Sequence, residues 1–182
     1  MSPTQNSTLR TELLELAAAD YALRTQLAAD GTLFEGYNPQ MKALHQHNSA
    51  RLQEIIAQHG WPGRSLVGED GTEAAWIVLQ HSISNPEFMQ EGLQLITDAA
   101  KSGEIAWNLV ATTEDRVLML HGEPQRYGTQ HDWDSEGNLS PIPILNPETV
   151  DQRRAEIGLE PLAVQTERLR QQAALERERP RR

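Results

Sequence analysis

The sequence predicts a mainly α fold, a single-domain helical bundle of about six helices with a small β-hairpin or ordered loop near residues 123–146. Leucines and alanines recur at spacings of three and four along most of the chain, which is the period of one helix face. Asn-Pro pairs precede three of these periodic stretches. An Asn cap with a proline in the first turn favours the start of a helix.

The first two predicted helices are long. Residues 8–29 place leucines and alanines on one face, and Gly31 follows as a stop signal. The second helix begins at Asn38-Pro39 and continues to about His59, where Gly60-Trp61-Pro62-Gly63 ends it.

Residues 67–71 predict a second loop, because they are rich in residue types that tolerate positive φ. A short helix over about 72–82 follows. His81 lies four residues beyond Ile77 on this helix, so we expect its side chain to point into the protein with the apolar face.

The second half of the chain predicts helices over about 86–102 and 104–121, then two short strands at 127–131 and 139–144. Asn146-Pro147 opens a further helix that ends before Gly158. A last helix follows Pro161 and tapers into a polar tail, about 176–182, that we expect to fray.

Composition excludes several classes of protein. The chain has 182 residues, enough for one domain that spans residues 1–182, and no cysteine, which excludes thiol nucleophiles and Cys-ligated metal centres. Its net charge of −10 opposes a nucleic-acid partner. The amino terminus lacks the pattern of a signal peptide, and we find no membrane-spanning run, so we expect a cytoplasmic protein without a membrane partner. The sequence indicates no oligomeric state.

His81 is the first candidate for chemistry. Burial lowers the pKa of a histidine and a nearby carboxylate raises it, so a general acid or base near neutrality is available there. The alternative is a core histidine that donates to a backbone carbonyl.

Asp115 and Arg116 are adjacent on a helix, so their side chains diverge by about 100° and each needs its own partner. They are either structural ion pairs, or Arg116 holds a carboxylate or phosphate in its bidentate fork. Asp151 and Arg154 share a helix face and predict an ion pair, although Arg154 is also a candidate ligand for an anion.

The segment Gln125 to Gln130 concentrates amide, phenol and hydroxyl groups in a loop, which favours binding. Tyr127 is a candidate proton carrier, and Thr129 and Gln130 supply directed donors and acceptors. A turn whose amides satisfy its own backbone would have the same sequence.

Metal sites are disfavoured by the spacing. His45 and His47 are two residues apart on a helix and face different ways. Residues 132–137 imitate the start of a calcium loop, but its twelfth position is Pro143 instead of glutamate. We find no nucleophile elbow, Walker loop or dinucleotide fingerprint, and expect no metal and no cofactor.

Five short motifs follow one another along the chain: Gly60-Trp61-Pro62, Gln80-His81, Asp115-Arg116, Gln125-x-Tyr127-Gly128-Thr129-Gln130 and Val150-Asp151-x-Arg153-Arg154. This order resembles an uncharacterised bacterial family, a domain of unknown function with Gly-Trp, Gln-His, Asp-Arg, Gln-x-Tyr-Gly-Ser/Thr-Gln and Val-Asp-x-Arg-Arg. The resemblance covers about residues 38–162. It implies one domain organised around these polar positions, in one shared pocket, and it implies no particular reaction.

The resulting hypothesis is a small-molecule enzyme of hydrolase, lyase or transferase type, acting on a small anionic or polar ligand. The expected catalytic residues are His81, oriented by Asp115, and Tyr127. The expected substrate-binding residues are Arg116, Gln125, Thr129, Gln130 and Arg154. The alternative is a non-catalytic ligand-binding or acidic protein-interaction module, such as a sensor, adaptor or immunity-type protein.

Overall fold

The computed structural model describes residues 6–34 and 36–178. Within these ranges the chain forms seven α-helices and one antiparallel two-stranded hairpin, so the predicted mainly α fold is confirmed. The described residues fall into two compact units, one up to Ala106 and the other from Trp107 onward.

The first unit contains four helices: α1 (Ser7–Asp30), α2 (Pro39–His59), α3 (Arg64–Gln80) and α4 (Pro86–Lys101). The predicted cap-plus-proline starts of α2 and α4 are confirmed. Asn38 and Asn85 accept hydrogen bonds from backbone amides in the first turns of these helices, which satisfies donors that a helix start leaves open. Gly31 ends α1 in a left-handed conformation, as its position predicts.

The predicted loop at residues 67–71 is wrong, because this segment lies inside α3. Gly68 has φ 78° and interrupts the helix at one residue, while the flanking turns stay helical. Gly71 is required for close packing: a Cβ atom there would lie 2.9 Å from Cβ of Val67 and 3.3 Å from Cγ of Arg10. Gly68 therefore allows a kink in α3 and Gly71 allows close packing, and neither forms a loop.

The core of the first unit forms where α1 packs on α2 and α3. Its fully buried apolar side chains come from all four helices and include Leu13, Leu27, Leu52, Ile55, Val67, Leu79, Met89 and Ile96. Burial of these side chains removes a large apolar area from water and is the main force that holds the four helices together.

The second unit contains α5 (Trp107–Leu120), β1 (His131–Trp133), β2 (Leu139–Pro141), α6 (Val150–Glu156) and α7 (Leu162–Glu178). The expected hairpin is present, with Trp133 opposite Leu139 beside the turn. Its first strand begins at His131 and not at Tyr127. The amides of residues 126, 127, 129 and 130 donate to side chains, so they are not available to a strand ladder.

The helix predicted after Asn146 begins with a 3-10 turn, Pro147–Thr149, before α6. The backbone of α7 continues to Glu178, and residues 179–182 lie outside the described part of the chain, so the frayed polar tail stays a prediction. Among the described residues, no helix combines the length and the apolarity needed to cross a membrane.

Candidate functional site

The candidate site of the first unit is built around Asp20. Asp20 lies seven residues from both Leu13 and Leu27 along α1, so the three side chains share the buried face of that helix. Asp20 is 4% exposed. A carboxylate in such a position is costly unless it is paired, and two histidines supply the pairing.

His81 is the first partner of Asp20. It caps the carboxyl end of α3, and its Nδ1 lies 2.8 Å from Oδ2 of Asp20. The side chain of His81 is 34% exposed, so one side of the ring is open while Nδ1 is held by a buried carboxylate. Asp20 is thus a carboxylate that orients His81 within the first unit, and the orienting role predicted for Asp115 stays a prediction.

His45 is the second partner. It projects from the buried side of α2, and its Nε2 lies 2.8 Å from the same Oδ2 of Asp20. The direction of this contact is poor for a hydrogen bond, and Nε2 has no aligned partner among the described residues. The centroids of the His45 and His81 rings are 5.0 Å apart.

Tyr37 completes the group from the other side of His45. Its hydroxyl lies 2.7 Å from Nδ1 of His45, in the loop that precedes α2. The side chains therefore form a row of contacts that leads from a partly exposed phenol, through two buried groups, to a partly exposed imidazole: Tyr37, His45, Asp20 and His81.

The charge state of Asp20 follows from these contacts. Burial alone raises the pKa of a carboxyl group, but the close contacts of Asp20 with His45 and His81 outweigh it and hold the pKa of Asp20 below its usual range. The carboxylate is thus ionised at neutral pH and accepts a hydrogen bond from Nδ1 of His81.

Asp115 has a different role in the second unit. It is completely buried on α5 and accepts hydrogen bonds from the backbone amides of Arg126, Tyr127 and Thr129 and from the hydroxyl of Thr129. A carboxylate that accepts several amide donors organises a loop as a cap organises a helix start. Asp115 therefore fixes the loop at residues 126–129.

Gln125 holds the other edge of this loop. Its amide nitrogen donates to the carbonyls of Gln130 and Ile142, each at 2.9 Å, and its oxygen accepts from the amide of Gln130. Gln125 is fully buried and Gln130 is 6% exposed. The side-chain amide of Gln125 thus forms hydrogen bonds with backbone groups on both sides, and so links the loop to the segment after β2.

Arg154 of α6 is a fully buried cation. Its guanidinium donates to the carbonyls of Tyr127 and Glu160, at 2.6 and 2.7 Å, and to Oε1 of Gln165. Burial lowers the pKa of Arg154. The expected ion pair with Asp151 is replaced by contacts to three oxygens, while Asp151 accepts from the amide of Leu162 instead.

Arg116 and Tyr127 also lie inside the second unit. Nε of Arg116 donates to Oε1 of Gln130 at 3.0 Å, and burial lowers the pKa of Arg116. Tyr127 is 9% exposed, lies against the guanidinium of Arg126, and has a pKa that burial raises. A raised pKa keeps the phenol protonated at neutral pH, which suits a hydrogen-bond donor better than a proton carrier.

The structure therefore brings together most of the predicted site residues in the second unit, namely Asp115, Arg116, Gln125, Tyr127, Thr129, Gln130 and Arg154. His81 belongs to the first unit, with Asp20, His45 and Tyr37. The catalytic and binding roles of the predicted residues stay predictions, including the anion-binding role of Arg116.

Sequence reasoning did not single out Asp20, His45 or Tyr37 as site residues. The available signal was a charged or polar residue in the middle of an apolar face. Asp20 interrupts the leucine face of α1, and His45 follows Met41 by one helical turn and precedes Leu52 by two. Buried polar residues of this kind need partners, and the partners here lie on other helices.

Comparison with known proteins gives a family. Residues 7–176 match the model of a family of unknown function (DUF6624). The chain belongs to this family. The family match begins well before residue 38, so α1 and Asp20 lie within the DUF6624 domain. No curated protein and no solved structure is significantly similar to the chain.

Proposed function

We propose that the protein is an enzyme that acts on a small polar molecule by acid–base chemistry, as a hydrolase, lyase or transferase, with Asp20 and His81 in its reacting centre. The observation that carries this proposal is the 2.8 Å contact between the buried carboxylate of Asp20 and Nδ1 of His81, whose side chain is 34% exposed. A histidine oriented by a buried carboxylate is a recurrent device for proton transfer in enzymes.

The chemistry follows from the two nitrogens of His81. An ionised carboxylate only accepts hydrogen bonds, so the proton of this contact resides on Nδ1. The lone pair is then on Nε2, the nitrogen that the Asp20 contact does not use. Nε2 takes a proton from the water or hydroxyl that attacks the substrate, Asp20 stabilises the imidazolium that forms, and Nε2 returns the proton to the leaving group.

His45 and Tyr37 support this centre from behind. Nε2 of His45 approaches Oδ2 of Asp20, and the hydroxyl of Tyr37 holds Nδ1 of His45 at 2.7 Å. Together they restrict the rotation of the carboxylate that orients His81. Such fixed positioning reduces the reorganisation that the reaction requires.

The polar groups of the second unit have a structural part in this proposal. Asp115, Gln125 and Arg154 are fully buried and bond to backbone groups of the loop at residues 125–130 and its surroundings. Groups that are occupied in this way stabilise a fold and are poorly placed to recognise a ligand. The alternative, a non-catalytic ligand-binding or acidic interaction module, would therefore bind its ligand or partner outside this network of buried groups.

The test is turnover of a panel of chromogenic carboxylic esters, phosphate esters, amides and lactones by the full chain and its variants. We expect His81→Gln and Asp20→Asn to lower kcat/KM by about 100-fold or more, the usual contribution of a general acid or base. The control is His47→Gln, an exposed residue of α2, which should keep full activity.

Circular dichroism shows whether each variant is folded. Wild-type turnover that survives His81→Gln in a folded protein contradicts the proposal. Absence of turnover across the panel, with ligand-induced thermal shifts for the same compounds, selects the non-catalytic alternative.

A further inference from the structure

We propose that Asp20, His45 and His81 bind a divalent transition-metal ion of the zinc type. One donor atom of each residue lies within 4.8 Å of the donor atoms of the other two. Both histidine nitrogens lie 2.8 Å from Oδ2 of Asp20, closer than the usual separation of ligands around one ion but within a small side-chain adjustment of it.

The contact of His45 with Asp20 is a second observation that favours a bound cation. His45 is 8% exposed, and its Nε2 has no aligned hydrogen-bond partner among the described residues although a carboxylate oxygen lies 2.8 Å away. The direction of Nε2 passes beside this oxygen instead of toward it, so a lone pair on Nε2 is free to bind a cation that lies off the line between the two atoms. A cation beside both atoms, off the line that joins them, would accept a lone pair from each.

Two neighbouring residues of α2 also have buried polar atoms without a hydrogen-bond partner. Oδ1 of Asn48 and Oγ of Ser49 are also buried without a partner in the described part of the chain. Asn48 and Ser49 follow His45 by three and four residues, so they lie on the same helix face. Polar atoms in this state commonly bond to water, and water molecules around an ion would satisfy them.

Tyr37 supplies the outer contact that metal-binding histidines require. Its hydroxyl lies 2.7 Å from Nδ1 of His45. When Nδ1 donates its proton to this oxygen, Nε2 carries the lone pair, which is the form that binds a metal. His81 would bind through Nδ1 and retain a proton on Nε2.

The donor set selects the kind of ion. Two imidazole nitrogens and one carboxylate oxygen suit Zn²⁺ and related first-row ions, whereas Ca²⁺ and Mg²⁺ prefer oxygen donors alone. The three ligands come from α1, from α2 and from the residue that caps α3, helices that pack on one another. Three protein ligands leave a fourth position of a tetrahedral ion open to water.

This inference rests on the proposed function only for the location of the reacting centre. With an ion bound, His81 would be a ligand, and the ion would lower the pKa of a bound water molecule, which would then carry the proton transfer assigned to His81. Binding of the metal itself is independent of any turnover, so it is tested without a substrate.

The experiment is isothermal titration calorimetry of the full chain with Zn²⁺ after removal of metals by a chelator, and a parallel thermal-shift assay. We expect one ion per chain, with Kd below about 1 μM, and a higher unfolding temperature. His45→Gln and Asp20→Asn should weaken binding at least about 100-fold. Tyr37→Phe should weaken it about 10-fold or more, because only the outer contact is lost.

The matched control is His47→Gln, which removes an exposed histidine of the same helix and should leave the affinity unchanged. Absence of binding overturns the inference. So does binding that survives His45→Gln and Asp20→Asn, because the ion then sits elsewhere on the surface.

A second measurement needs no variant and therefore does not depend on their folding. In ¹⁵N NMR spectra of the histidine side chains, Zn²⁺ should shift Nε2 of His45 and Nδ1 of His81, and unchanged signals of both would exclude the site. If Zn²⁺ fails to bind while turnover still requires His81, the inference falls and the proposed function stands. If Zn²⁺ binds at these residues and no turnover is found, the reverse holds.

Discussion

Oδ2 of Asp115 accepts hydrogen bonds from both the backbone amide and the hydroxyl of Thr129, each at 2.9 Å. The two residues are 14 positions apart, and the aspartate side chain is completely buried. One carboxylate thus replaces the backbone partner that the loop lacks, which makes Asp115 a structural anchor of the second unit.

We therefore predict that Asp115→Ala lowers the free energy of unfolding by about 3 kcal/mol, because it leaves buried amide donors without an acceptor. Thr129→Val removes only the hydroxyl donor and should cost about 1 kcal/mol. Urea denaturation followed by circular dichroism measures both values. Equal stability losses in the two variants would contradict the anchoring role of the carboxylate.

Gly128 offers a test of close packing beside this anchor. It has φ +73°, and a Cβ atom there would lie 2.8 Å from the Cδ1 atoms of both Ile144 and Leu162. We expect Gly128→Ala to cost about 2 kcal/mol, from backbone strain and from the displacement of the two side-chain ends. Gly137 has φ +79° with open space around it, so Gly137→Ala should cost only about 1 kcal/mol of strain. Denaturation midpoints that shift equally would show that packing at Gly128 contributes nothing.

Arg154 tests whether a buried cation can stabilise this unit through neutral oxygens. It donates to two backbone carbonyls and one amide oxygen. Arg154→Ala should lower the free energy of unfolding by about 4 kcal/mol, since these oxygens lose their donors and a large side chain leaves a cavity. Arg168→Ala is the control, because its half-exposed ion pair with Glu160 is worth less than about 1 kcal/mol. Thermal unfolding of the two variants gives the comparison.

The sequence predicts helix starts well because their signals are local. Asn38-Pro39 and Asn85-Pro86 place a cap and a proline side by side, and both helices begin at the proline. The segment at residues 67–71 was misread because its glycines look like loop formers. In the structure, close packing explains Gly71: a Cβ atom there would meet Val67 at 2.9 Å, one turn earlier on α3, and Arg10 of α1 at 3.3 Å.

The candidate site shows the limit of local reasoning more clearly. His81 was identified from its helical position, but its carboxylate partner is 61 residues away on another helix. Local patterns also miss the contact of His45: its spacing to His47 indicates only that these two side chains face different ways, and it says nothing about a contact with α1. Helical spacing tells which face a residue occupies, and only the packing of helices tells which faces meet.

The pH dependence of stability provides the last test, through His131 of β1. This ring is half-buried, with Nε2 2.9 Å from the hydroxyl of Thr166. Burial lowers the pKa of His131 from its ordinary value of 6.5, and the charges of Arg154 and Arg170 act in the same direction. The unfolded chain therefore binds a proton more readily than the folded one. The stability that this residue contributes is complete above pH 6.5 and is lost as the pH falls through the lower folded pKa.

We expect the free energy of unfolding of the wild-type chain to fall as the pH decreases from about 7 to about 5, and His131→Asn to reduce that decline. His47→Asn, on an exposed face of α2, should leave the slope unchanged. Urea denaturation across this range measures the slopes. A slope that His131→Asn leaves unaltered would mean that the ring is protonated in the folded state as easily as in the unfolded one, against the desolvation that its burial imposes.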